Sequence, residues 1–385
     1  MKRIKWLILL QIFFLSGCWD RMEINELALV TGTAIDLKKN GNLEVSLQVA
    51  LPSSADGGHG EGKDGKFFVI SVEGKNGNEI HQKLQEKSTR KLFLSHRSVV
   101  YISETLAKEG LNGVLDIFIH DPRNRLKTYL IMVKGSEAKD ILQMDYPLKQ
   151  VPIETVKALQ ISGGELAVTI RDFYIALESE GIQPVMSVIE VDNQSKSKNQ
   201  LFNFMGAGVF KDLKLAGVLN EEDLLGFMWT TNKLNYGRVT AYLPDGRGEV
   251  GLIVTHASSK IITHTEQGSA KFKIMLSGQG GLVENNSTLN VSDPEEMKQI
   301  KHALEDAVKK QVQRFIAKIQ KDYNTDSIGF GHEIYKKAPK QWEAMRNQWD
   351  ELFPKAEIGV EVKLRINGSG MVNPTFGKYH GMVTE

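Results

Sequence analysis

The chain holds a single cysteine, Cys18, and it closes the run Leu15-Ser16-Gly17-Cys18. A free cysteine is ordinarily a small core hydrophobe. This one stands after small residues that a signal peptidase can seat, and the setting upstream is that of an export signal. Lys2, Arg3 and Lys5 form a basic start, and residues 6–15 are apolar except for Gln11. A spanning helix needs about 20 apolar residues, so the run is too short to cross a bilayer and has the length of a signal h-region. The expected chemistry is thioether formation. The sulfur takes a diacylglyceryl group, and the chain is then cut after Gly17, so that 1–17 leave as signal peptide. Burial of lipid is worth about 0.8 kcal/mol per CH₂, and two acyl chains anchor stably where one is marginal.

Other residues that could do chemistry do not converge. With no second cysteine there is no internal disulfide, so stability comes from packing. Gly60-Glu61-Gly62-Lys63-Asp64-Gly65 matches a dinucleotide fingerprint by letter. That fingerprint follows a strand and opens a helix, whereas here it lies in a loop and leads into strand-like Phe67-Phe68-Val69-Ile70. The nine histidines are scattered without zinc spacing; His256 and His264 share a β-rich stretch and nothing more. There is no nucleophile elbow and no phosphate loop. The acids Glu221 and Glu222 read as a charged helix start. The expectation is a non-enzymatic chain with no catalytic residue, cofactor or metal. A formal net charge of +1, spread along the chain, gives no basic stripe for nucleic acid.

The elements expected are those of an α+β protein. Hydrophobic residues make up 41% of the chain, enough for real cores. Strands are expected at 27–37 and 43–51, joined by an Asn40-Gly41 turn, then at 67–72, 92–102, 126–133 and 184–191. Helices are expected at 78–91, 103–109 with Ser103 as cap, 111–119, 136–144 with Ser136 as cap, 152–162 and 170–180. Thr169 and Asp172 sit at capping-box spacing. Residues 192–200 carry no apolar side chain and mark the expected boundary between an N-terminal domain, 18–195, and a C-terminal one, 201–385, with a further division possible near 245. Beyond it, strands at 202–210 and 214–219 precede a helix capped by Asn220. Long strands follow at 238–243, 249–264 and 270–283. Asp293, Pro294 and Glu295-Glu296 open the longest helix, 294–323. Its stripe Ile300, Leu304, Val308, Val312, Phe315 and Ile319 reads as a face laid on a sheet, with a partner-binding face as the alternative. A helix at 341–353 and a strand at 358–366 finish the fold. Hairpins imply antiparallel or mixed sheets packed with helices.

Several motifs, in order, resemble one family. Gly17-Cys18-Trp19-Asp20-Arg21-Met22-Glu23-Ile24-Asn25-Glu26-Leu27 resembles the opening of the Ger(x)C spore germination lipoproteins. So do Val30 to Asp36, His96 to Glu104, Gly206 to Asp212 and Leu215 to Asn220. Asp326-Ser327-Ile328-Gly329-Phe330-Gly331, Trp342 and Trp349 continue the likeness, with Ala216 where the family often has Val. The resemblance implies the C subunit of a nutrient germinant receptor, on the outer face of the spore inner membrane. Its partners would be the lipid bilayer, through diacylglyceryl-Cys18, and two membrane-embedded subunits, one of them transporter-like. Trp19, Asp20 and Glu23, beside the anchor, are the candidate partner contacts. The alternative is a solute-binding lipoprotein that feeds a transporter. Such proteins have two lobes with parallel sheets, against the hairpins expected here.

Overall fold

A computed structural model describes residues 23–50, 67–119, 124–144, 165–192, 201–266 and 269–367. The helix expected at 152–162, the Gly-rich loop and the polar run at 193–200 lie outside them.

Alternation of apolar residues builds two mixed sheets with helices, the α+β class expected. The first contains β1 (Leu27–Leu37), β2 (Leu43–Ala50), β3 (Phe67–Gly74), β4 (Lys91–Phe93), β5 (Val99–Ser103), β6 (Tyr129–Lys134), β7 (Val185–Asp192), β8 (Leu201–Lys211) and β9 (Lys214–Leu219). Its order is β3-β2-β1-β5-β6-β7-β8-β9, with β4 also paired to β1. The hairpin β1–β2 is antiparallel, Ile35 facing Val45, while β1, β5, β6 and β7 run parallel. β7 and β8 pair antiparallel from Val185↔Val209 to Asp192↔Leu201. Strands from both sides of the 192–200 run therefore share this sheet.

The second sheet is β10 (Gly237–Tyr242), β11 (Glu249–Glu266), β12 (Ser269–Asn285) and β13 (Glu357–Ile366), in that order. A helix at Pro294–Lys321 lies over it. Asp293 caps this helix, its Oδ1 accepting from the Glu295 and Glu296 N–H groups at 2.8 and 3.0 Å. Ile300, Leu304, Val308, Val312, Phe315 and Ile319 are all fully buried. At roughly 1.5–3 kcal/mol for each such side chain, packing outweighs intrinsic propensity in holding the helix. The covering reading of its stripe is thus the one the structure bears out.

Several expected elements differ. The helix expected at 78–91 ends at Glu86, and Lys91 begins β4. The strand expected at 92–102 is broken by a 3₁₀ turn at Leu94–His96, and its two pieces both pair with β1. Of 111–119 only Asp116–Ile119 is helical, because Gly113 takes a positive φ of 73°. The stretch 341–353 splits into Pro339–Met345 and Trp349–Leu352, joined by a 3₁₀ turn. The helix at Ala138–Gln143 is not capped by Ser136. The Asp36 carboxylate caps it from β1, accepting from the Ala138 and Lys139 N–H groups at 2.6 and 3.0 Å. Burial pushes Asp36 up to about 6 against the pull of those two donors.

Candidate functional site

The sequence places an aspartate ahead of two glycines in Asp326-Ser327-Ile328-Gly329-Phe330-Gly331. The structure turns this run into the start of a helix, Phe330–Lys337, that periodicity did not reveal. Gly329 stands at its N-cap with φ of 91° and has no side chain to cap with. Asp326 does the capping. Its Oδ1 accepts from the Gly329 and Phe330 N–H groups at 2.8 and 3.0 Å, and its Oδ2 from the Gly331 N–H at 2.8 Å. The Trp349 indole N–H donates to Oδ2 at 3.2 Å. A helix N-terminus favours this anion, since its first N–H groups lack intrahelical acceptors.

The same segment holds the loop that leads into β7. The Gln183 N–H donates to the Asp326 carbonyl, and the His332 N–H to the Gly181 carbonyl, both at 2.9 Å. The Trp342 indole N–H donates to Glu180 Oε2 at 2.9 Å. The Gln183 side chain accepts from the Asp212 N–H at 2.7 Å, so the β8–β9 turn is tied in as well. Aromatic rings close the site from below. Phe272 and Phe330 have centroids 4.7 Å apart, and Trp342 and Trp349 5.5 Å apart, in edge-on or tilted contact. A cleft of about 370 Å³ opens beside them, lined by Glu180, Gln183, Asn324, Arg346 and Asp350 among others. The site is a clasp between the two sheets. Each Asp326 oxygen accepts two hydrogen bonds, so the carboxylate is committed to holding the clasp together.

Gly181 has φ of +70°, and a β-carbon there would lie 2.4 Å from the Gly331 carbonyl carbon. Gly181→Ala is therefore expected to cost about 3 kcal/mol or more, from left-handed strain plus overpacking. Gly41→Ala is the control. It also has positive φ, +82°, but nothing within 4 Å, so its cost is expected to be about 1–2 kcal/mol. Thermal unfolding of the two variants checks the difference.

Burial pushes the Asp326 carboxyl up to about 6, with the three N–H groups and Trp349 pulling it down. A raised folded-state value means that the folded chain holds the proton more tightly. The associated stability is full below about 4 and is lost as pH rises through about 6. Asn at this position does not titrate. The stability of the wild type relative to Asp326→Asn is thus expected to fall by about 2 kcal/mol between pH 4 and pH 7. Urea unfolding at both pH values measures it, and a relative stability that instead rises with pH contradicts the assignment.

Of the residues singled out from sequence, Cys18, Trp19 and Asp20 lie outside the described residues. Glu23 is exposed, where the chain enters β1, and its carboxylate accepts from Asn25 Nδ2 at 3.2 Å. His256 is exposed beside Thr255, and the structure gathers it into no metal cluster; among the described residues no group of three metal-capable side chains occurs.

Comparison with known proteins places this architecture. Residues 20–191 match the family model described as "Spore germination protein N-terminal domain". Residues 205–370 match the model "Spore germination B3/ GerAC like, C-terminal". The chain belongs to the Ger(x)C family. It is 29% identical over 389 residues to "Spore germination protein KC" of Bacillus subtilis (strain 168), covering 95% of both chains. It is 23% identical to "Spore germination protein B3" of the same organism, covering 93% of this chain and 95% of that one. The crystal structure of the GerBC protein shares its fold, with a TM-score of 0.58 at 19% identity, covering 87% of this chain and 97% of that one. The Ger(x)C motifs noted in the sequence fall on architecture. Val99 to Ser103 is a wholly buried strand. Gly206 has φ of +130°, and a β-carbon there would strike the Leu219 carbonyl at 1.9 Å. Asp326, Trp342 and Trp349 build the clasp.

Proposed function

We propose that this chain is the lipid-anchored, non-enzymatic C subunit of a spore nutrient germinant receptor. Diacylglyceryl on Cys18 holds it on the outer face of the spore inner membrane, beside two membrane-embedded subunits. It supports receptor assembly or relays the germination signal. The observation that carries this reading is the ordered match of two spore germination family models, 20–191 then 205–370, behind a lipobox cysteine. Among the described residues no helix is long and apolar enough to cross a membrane; the tether in this reading is the lipid on Cys18. Tethering raises the effective concentration of the soluble body beside its partners, and weak contacts then suffice. The clasp suits this role, because it fixes the two sheets as one presenting surface. Trp19, Asp20 and Glu23 are the contacts proposed next to the anchor.

Capture of the tagged chain from detergent-solubilised spore membranes tests the proposal. Two polytopic germination subunits are expected to come with it. Recovery of the intact chain alone, under conditions that preserve other membrane complexes, counts against it.

A further inference from the structure

Among the described residues, side chains take up backbone groups on several strand edges. On β3 the carbonyls of Ser71 and Glu73 accept from the ammonium groups of Lys87 and Lys83 at 2.7 and 2.9 Å. On β9 the Val218 carbonyl accepts from the Tyr323 hydroxyl at 2.8 Å. Where β11 runs on past β10, Asn232 brackets the N–H and C=O of Ser259, and Lys337 Nζ donates to the Ile261 carbonyl. Such devices keep an edge from pairing with another chain. The second sheet has two outer strands, β10 of six residues and β13 of ten, so β13 offers the longer edge. Its one such contact among the described residues is Glu305, whose Oε1 accepts from the Leu364 N–H at 2.8 Å.

The direction of every backbone group on β13 follows from two bonds. The Asn367 N–H points to β12 and donates to the Gly280 carbonyl at 2.8 Å. The Leu364 N–H points away, to Glu305. N–H and C=O of one residue leave a strand on the same side, and sides alternate. Ile358, Val360, Val362, Leu364 and Ile366 thus present their backbone outward. Their side chains lie on the face toward the long helix, with Val360 and Leu364 buried. The other face carries acids first and bases last: Glu357, Glu361, Lys363 and Arg365.

We propose that β13 pairs antiparallel with β13 of a second copy, with Val362 on the two-fold axis. The strand is its own complement in this register. Glu361 stands opposite the partner's Lys363, and by symmetry Lys363 opposite the partner's Glu361. Val360 meets the partner's Leu364, and Ile358 meets the partner's Ile366. All five outward-facing residues fall at hydrogen-bonded positions, so the ladder fills. Lys363 now bonds Glu361 of its own strand at 3.1 Å, and Glu361 also holds Lys273 at 2.7 Å. Lys363 can turn to the partner while Glu361 keeps Lys273. Glu305 swings aside. An isologous contact of this kind closes at two copies and leaves no further β13 edge. The result is one eight-stranded sheet.

The test uses the full chain, extracted from membranes in detergent, with two differently tagged copies in one cell. Co-capture and mass in solution report the dimer. Lys363→Glu and Glu361→Lys are each expected to weaken it about tenfold, since both symmetric pairs become like-charged. The double swap is expected to restore it. Val362→Pro is expected to abolish it without unfolding the chain, because that N–H is not used by β12. Unchanged circular dichroism confirms that each variant is folded. Wild-type chain that is monomeric throughout overturns the proposal. So does a dimer indifferent to the charge swaps, or cross-linking at position 363 that reaches only another protein.

Discussion

Asp326→Ala is expected to lower the stability of the folded body by about 2–4 kcal/mol, seen as a fall of roughly 5–10 °C in Tm. Three backbone N–H groups and the Trp349 indole lose their shared acceptor at a residue only 4% exposed. Each orphaned buried donor costs about 1–3 kcal/mol, and removing a desolvated charge returns part of the sum. The effect exceeds that of cutting Glu180 from Trp342, because Glu180 is solvent-accessible and water can take its place. The loss should be local first. The loop at residues 180–183, held by Asp326 and His332, is expected to exchange its amide hydrogens faster than the β5–β6 core. Unchanged protection there, with an unchanged Tm, contradicts the account of the clasp.

Cys18→Ser is expected to move the protein from the membrane to the soluble fraction without changing its Tm. No described element depends on residue 18, so the folded body has no reason to notice. The membrane does. A single myristoyl-sized chain gives binding of only about 10⁴ M⁻¹, and a pair of chains makes the anchor stable. With none, about nine-tenths or more of the variant is expected in the wash. Fractionation of spores, together with labelled palmitate, measures both the location and the lipid. A variant that stays bound and still takes up label contradicts the reading of the lipobox. Loss of the anchor should also lower receptor recovery, since local concentration beside the partners falls.

Most of the fold could be read from local pattern because the pattern there is strong. β1 runs from Leu27 to Leu37 as expected, and Asn220, Asp293 and the Thr169–Asp172 capping box all act as their spacing implied. Elsewhere a distant residue supplied what the local sequence seemed to. Ser136 looked like a cap, but Asp36 caps that helix from 102 residues away. Nothing in local sequence reveals such a pairing. The clasp was hidden for the same reason. The helix Phe330–Lys337 is short and begins on glycine, so it has neither a long stripe nor its own cap. Asp326, Gly181 and Trp342 meet only when the chain is folded. The one local signal was an aspartate three residues before a glycine-rich helix start, and it marked a place without naming its partners. The parallel strands β5 and β6 are short and fully or mostly buried, so their partners also depend on topology rather than on pattern.

The mass of the mature N-terminus tests the tethered-subunit account most directly. Protein purified from spore membranes is predicted to begin at Cys18 and to carry a diacylglyceryl group on its sulfur. A chain recovered from the soluble fraction of spores, with residue 18 bearing a free thiol, would contradict it.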